Sequence, residues 1–207
     1  MSDMASLIHL LRERAAGHDR FMVAIAGAPG SGKSTLAHNL KVELEVQGEG
    51  AIVVPMDGFH FDDIILNQRG HRPRKGAPFT FDVRGFEVLL KRIRAREEEI
   101  AIPVFDRTLE LAKAGADIVD PAAKFILVEG NYLLLQAQPW DRLKPLFDFS
   151  VFIDVPKAEL ERRLIQRWLD HGFDMDYARN WVASNDALNI NAAISGSAKA
   201  DFVLHQT

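Results

Sequence analysis

The stretch Phe21-Met22-Val23-Ala24-Ile25-Ala26-Gly27-Ala28-Pro29-Gly30-Ser31-Gly32-Lys33-Ser34-Thr35 decides the fold. An apolar run of β type leads into G-x-x-x-x-G-K-[ST], the phosphate-loop pattern, and a strand before it with a helix after it is the context that pattern requires. Gly27, Gly30, Gly32 and Pro29 shape a tight turn whose backbone N–H groups can face phosphate oxygens. The helix opening at Lys33 adds the positive end of its dipole. Gly27, Pro29, Gly30, Ser31, Gly32, Lys33, Ser34 and Thr35 are therefore assigned to ATP, with Lys33 reaching the β/γ-phosphates as a mobile point charge and the Ser34 hydroxyl placed on Mg²⁺.

Working outward, the chain has 207 residues, 47% of them apolar, enough for one good core with a small excursion. The expectation is one α/β domain over the whole chain, with an acceptor-binding insertion at about 57–122 and a lid at about 160–185. A net charge of −4 argues against a broad basic surface for nucleic acid. The absence of cysteine excludes disulfides, thiolate catalysis and cysteine-ligated zinc. No apolar run approaches the length of a membrane span, and Met1 to Arg14 lacks the apolar core of a signal peptide, so no membrane partner and a cytoplasmic location are expected. A homodimer stays open.

Met4, Leu7, Ile8, Leu11 and Ala15 fall on one helical face, and the spacing predicts a helix packed outside the sheet. Leu36, Leu40 and Leu44 form the next stripe, followed by a strand at Ala51 to Pro55. Asp57 to Asp82 lacks either period and reads as functional loop or short helix, too polar for core. A helix carries Phe86, Leu89, Leu90 and Ile93. Ile100 to Phe105 and Asp117 to Val119 are expected as strands of a hairpin with Gly115 between them. Phe125 to Val128 and Val151 to Val155 are continuous apolar runs of strands covered on both faces, and Ala200 to Leu204 is expected to be the last strand. This alternation implies a mostly parallel sheet with ligands at the carboxyl ends of its strands, which brings the phosphate loop, Asp57 and Glu129 to one rim.

Phosphoryl transfer to a hydroxyl needs a phosphate cradle, a metal, a base that orients the acceptor, and positive charge for the transition state. Asp57, just past a buried strand, is the candidate base; Glu129, after four apolar residues, is the candidate carboxylate beside the metal. Arg163 and Arg167 lie four apart on a helix whose other face is Leu160, Leu164 and Trp168, so both can close over the γ-phosphate, with Arg162 as competitor. His60, Arg74, Lys75, Phe81, Arg107, Asn131 and Tyr132 are candidates for binding a small polar acceptor, although Tyr132 is equally readable as a packing residue with its hydroxyl at the surface. Asp82-Val83-Arg84-Gly85 matches the D-x-x-G of GTPases, but no apolar strand precedes it and no N-K-x-D follows. A nucleotide-dependent switch is thus the second reading.

The phosphate loop, Met56-Asp57-Gly58-Phe59-His60, Arg74 to Asp82, Phe105-Asp106-Arg107-Thr108 and Val128-Glu129-Gly130-Asn131-Tyr132 come in an order that resembles the phosphoribulokinase, uridine kinase and pantothenate kinase family of P-loop kinases. Within it the chain particularly resembles bacterial proteins labelled fructose transport system kinases or nucleoside kinase-like proteins. The resemblance implies a P-loop NTPase three-layer sandwich, a five-stranded parallel sheet with the P-loop strand central and a helical lid. It also implies Asp57 as base, Arg163 and Arg167 as lid arginines, and adenine near Asn191 and the turn before Ala200. The implied activity is ATP-dependent phosphorylation of a hydroxyl on a small metabolite, a sugar such as fructose being favoured over a nucleoside or pantothenate.

Overall fold

The structure, a computed structural model, describes residues 3–206. Strands β1 (Phe21–Gly27) and β5 (Phe125–Gly130) are buried at every position, as continuous apolar runs must be when helices cover both faces of a sheet. With β2 (Ala51–Pro55), β6 (Phe149–Asp154) and β7 (Phe202–His205) they form a parallel sheet in the order β2-β5-β1-β6-β7, so the P-loop strand is central. Register sets the site: Glu129 on β5 lies opposite Ile25 on β1 and opposite Pro55 on β2, and Gly27 lies opposite Ile153 on β6. The carboxyl ends of the strands that carry the phosphate loop, Asp57 and Glu129 are therefore level.

Helix α1 (Asp3–Arg14) packs on α2 (Lys33–Val46), and α2 in turn lies on β1, β2 and β5 through Leu36, Ala37, Leu40 and Leu44. A short helix, α3 (Asp63–Gln68), is followed by α4 (Val83–Arg94), which buries Phe86, Leu89, Leu90 and Ile93, each contributing about 1.5–3 kcal/mol. Asp82 caps α4, its Oδ1 accepting from Gly85 N–H at 2.9 Å, and a Cβ at position 85 would strike the same carboxylate. The D-x-x-G match is thus a helix cap. After β6 come α5 (Lys157–Asp170), α6 (Met175–Trp181), a π-helical turn (Val182–Asp186) and α7 (Ala187–Gly196). No helix among the described residues is long and apolar enough to cross a membrane.

Two expectations need correction. The hairpin is β3 (Ala101–Asp106) with β4 (Leu111–Ile118), and Gly115 lies within β4 rather than at the turn. The reversal is made by Asp106, whose Oδ1 accepts from the N–H groups of Thr108 and Leu109 at 2.9 and 3.0 Å. The segment from Asp57 to Asp82 is not too polar for core: Leu66, Ala77, Thr80 and Phe81 are all buried. Its short turns, at Met56–Phe59, Arg72–Arg74 and Pro78–Thr80, drop isolated side chains inward without a helical or strand period to announce them.

Candidate active site

The phosphate loop is held by contacts that only its glycines permit. A Cβ on Gly27 would sit 2.7 Å from Ser31 Oγ and 3.0 Å from the Ile153 carbonyl, and Gly32 ends the loop in the left-handed region at φ 86. Among the described residues the N–H groups of Gly32, Lys33, Ser34 and Thr35 meet no acceptor, and Ser31 Oγ is buried without a hydrogen-bond partner. Orphan donors gathered at a helix N-terminus fit a polyphosphate, which supplies the missing acceptors. The Lys33 ammonium is buried within this cradle and donates to the Ala28 carbonyl at 2.9 Å. Burial pushes its pKa down to about 8, against the pull of Glu129 and Asp57.

Across the rim, the Ser34 hydroxyl lies beside the buried carboxylate of Glu129, and burial followed by the nearby charge of Asp57 raises the Glu129 carboxyl above its ordinary value. A hydroxyl and a carboxylate at one point are ligand types that suit Mg²⁺. Among the described residues no group of three or more His, Cys, Asp or Glu side chains converges on a metal position.

Asp57 follows β2 in a one-turn 3₁₀ helix, and its carboxylate pairs with Arg107 from the β3–β4 reversal. The backbone there is tightly fitted, since a Cβ on Gly58 would overlap Pro103 of the hairpin. His60 Nδ1 lies 2.9 Å from the Asp57 carbonyl, and its ring packs between Phe81 and Phe105 with centroids at 4.0 and 4.9 Å. Burial lowers the His60 pKa, so the ring is neutral at pH 7, with Nδ1–H donating to the carbonyl.

The remaining candidates separate into two groups. Arg163 reaches the loop itself, its Nη1 3.4 Å from the Gly30 carbonyl and 3.4 Å from Gln206 Oε1, while Nε is fixed by Glu159 at 2.7 Å. Arg162 is turned away onto Glu159. The Arg167 guanidinium makes no side-chain hydrogen bond among the described residues; burial, then Arg107, lower its pKa, and Asp186, Asp57 and Glu110 act on it in the opposite sense. Arg74 donates to Asn185 and Asn189 at 2.8 and 3.2 Å, and Lys75 donates to Asp63 and to the Glu110 carbonyl, both at 2.8 Å. Phe81 and Tyr132 are core residues in edge contact with Trp140, and the Tyr132 hydroxyl is inside, donating to the Gly76 carbonyl at 2.7 Å. Asn131 stands half-buried immediately after β5.

Asn191, the candidate for adenine, is exposed on α7, accepts from Lys157 at 3.2 Å and lines an apolar groove of about 500 Å³ with Phe79, Pro139 and Trp140. The C-terminal residue that reaches the loop is Gln206, 3.9 Å from the position of a Gly32 Cβ. Reading the sequence missed it, because one glutamine after a strand carries no pattern. The amides Asn185 and Asn189, both buried, were missed for the same reason.

The profile of the phosphoribulokinase and uridine kinase family matches residues 22–186. Over 98% of this chain and 99% of the other, the fold superposes with a TM-score of 0.93 and 44% identity on the crystal structure of a candidate fructose transport system kinase from Silicibacter sp. TM1040. A candidate uridine kinase of Schizosaccharomyces pombe is 31% identical over 90% of this chain and 83% of its own length. The pantothenate kinase of Corynebacterium diphtheriae is 33% identical over 74% of this chain, which spans 50% of that protein.

Proposed function

This chain belongs to the phosphoribulokinase and uridine kinase family and is an ATP-dependent kinase, and from that premise we propose that it transfers the γ-phosphoryl group of ATP to a hydroxyl of a small polar metabolite, with a sugar such as fructose favoured. The observation that carries this reading is the placement of Asp57, two residues past Pro55 at the end of β2, where Pro55 lies opposite Glu129 on β5 at the rim that bears the phosphate loop. Bound MgATP supplies the transferable phosphoryl group and a metal that neutralises developing charge.

The chain's own groups position the rest. Orphan N–H groups of Gly32 to Thr35 hold phosphate oxygens, and Lys33, still mostly protonated at pH 7 with a pKa of about 8, adds a charge that phosphate further stabilises. Ser34 and Glu129 supply the metal's protein oxygens. Asp57 accepts the acceptor's hydroxyl proton, with Arg107 steering that carboxylate until the acceptor arrives. Arg163 is already docked on Gly30, and Arg167, one turn on, is the cation left to cover the transferring group as the lid. Catalysis of this kind is alignment and preorganised charge rather than covalent chemistry.

The name of the Silicibacter structure favours a sugar acceptor, and the nucleoside and pantothenate alternatives follow the names of the other two relatives. Coupled ADP release is measured with fructose, other sugars, nucleosides, pantothenate and glycerate. Acceptor-stimulated turnover with a sugar supports the proposal; turnover with none of the panel contradicts it.

A further inference from the structure

The cations of the acceptor loop and of the hairpin are engaged with one exception. Among the described residues Arg72 and Lys75 pair with Asp63, Arg107 with Asp57 and Lys113 with Asp106, while Arg69 lies over the Phe61 ring, 4.5 Å from its centroid. Arg74 has no carboxylate partner there. Its Nε donates to Asn185 Oδ1 at 2.8 Å and its Nη2 to Asn189 Oδ1 at 3.2 Å. Asn185 is fixed from its other end as well, Nδ2 donating to the Lys75 carbonyl at 3.2 Å, and both asparagines are buried. Asp186, next to Asn185 in the chain, turns its carboxylate to the Trp168 indole N–H, 3.3 Å away.

A guanidinium carries its N–H groups in a rigid fork, so bonds to two amides aim it and leave donors over. Aspartates in those two places would aim it equally well and cancel its charge. Neutral amides aim it and keep the charge for a ligand. The half-buried position of Arg74 strengthens that charge relative to one in open water.

Contacts tie this loop to the base from two sides. Lys75, the next residue, and Arg107 stand over the same Phe105 ring, 5.4 and 4.9 Å from its centroid, and Arg107 pairs with Asp57. The Gly76 carbonyl takes the Tyr132 hydroxyl at 2.7 Å, and Tyr132 follows closely on Gly130, the last residue of β5. Met56 packs against Gly130 so tightly that a Cβ there would sit 2.6 Å from Met56 Cβ, and Met56 directly precedes Asp57. Arg74 thus belongs to the loop that walls the cleft beside the base.

We propose that Arg74 receives an anionic group of the acceptor, a carboxylate or a phosphate, with Asn185 and Asn189 as the residues that position it. This rests on the kinase reading and narrows it: the hydroxyl to be phosphorylated belongs to a molecule that already carries negative charge, such as a sugar phosphate or a sugar acid. A neutral acceptor leaves Arg74 uncompensated and forgoes the paired hydrogen bonds that a carboxylate or phosphate makes with the fork.

The test compares acceptors in matched pairs that differ in the anion: fructose 6-phosphate with fructose for a phosphate, glycerate with glycerol and pantothenate with its alcohol for a carboxylate. Coupled ADP release gives kcat/KM, and calorimetry on the protein loaded with a non-hydrolysable ATP analogue gives affinity independently of turnover. The anionic member of at least one pair should be preferred over its neutral twin by at least about tenfold, the discrimination expected of a hydrogen bond to a charged group, and the pair that shows it tells phosphate from carboxylate. Asn189→Asp keeps an acceptor for Arg74 and cancels its charge, whereas Arg74→Gln removes the charge outright. Each should shrink that preference at least about tenfold. A role confined to structure weakens both members of a pair alike, so an unchanged ratio in either folded variant overturns the assignment. A parent that shows no such preference, or whose best acceptor is neutral, overturns it too and leaves the kinase reading standing. No turnover and no binding of any acceptor by the parent refutes the kinase reading itself.

Discussion

Replacing Lys33 by Met should make the protein more stable and useless to nucleotide. Lys33 is 8% exposed, and its pKa falls from the ordinary 10.5 to about 8 mainly through burial. At 1.36 kcal/mol per pH unit that drop is a folding penalty of about 3 kcal/mol at neutral pH. Removing the ammonium also removes its bond to the Ala28 carbonyl, which costs back about 1 kcal/mol. Met fills a similar volume, so the net expectation is a gain of about 1–2 kcal/mol. The folded protein binds this proton less tightly than the unfolded chain, so the parent's own stability should climb as pH rises from about 8 to 10.5, and Lys33→Met should lack that climb. Urea denaturation at pH 7 and at pH 9.5, with and without MgATP, reads all of this. MgATP at a hundred times its Kd should stabilise the parent by about 2.7 kcal/mol and leave the variant unmoved. A variant less stable than the parent, or one that MgATP protects equally, would refute the reasoning that Lys33 is held under electrostatic strain for phosphate.

Three other substitutions probe different parts of the site. Asp57→Asn should lower kcat by about 10²–10⁴ while KM for ATP holds, measured by coupled ADP release. Gly27→Ala pushes a methyl group to 2.7 Å from Ser31 Oγ and 3.0 Å from the Ile153 carbonyl, and calorimetry should show nucleotide affinity reduced at least about tenfold. Tyr132→Phe leaves the Gly76 carbonyl without its partner and should cost about 1–3 kcal/mol in urea unfolding, with acceptor KM rising as the loop that holds Arg74 loosens.

The phosphate loop and Glu129 were legible in the sequence because their signals are local: fixed glycine spacings and a carboxylate ending a continuous apolar strand. The central position of β1 followed from the family resemblance rather than from any periodicity. What stayed hidden depends on contacts between distant segments. Lys75 and Arg107 read as candidates for binding the acceptor, and each meets a carboxylate only after folding, across 12 and 50 residues. Tyr132 could be read as half-exposed until the loop at Gly76 was seen to close over it. Gly115 drew the hairpin turn to itself, while the side chain of Asp106 made the turn elsewhere. Gln206 carries no motif at all, and its neighbours are contributed by α5 and the phosphate loop.

The central claim is that the phosphate loop and Asp57 act as one site. Single-turnover transfer from γ-labelled ATP, with the most active sugar of the panel as acceptor, tests it most directly. The account predicts label in an acceptor phosphate ester for the parent, and formation slowed by about 10²–10⁴ in Asp57→Asn although the nucleotide remains bound. Label released only to water, at the same rate in parent and variant, would contradict it.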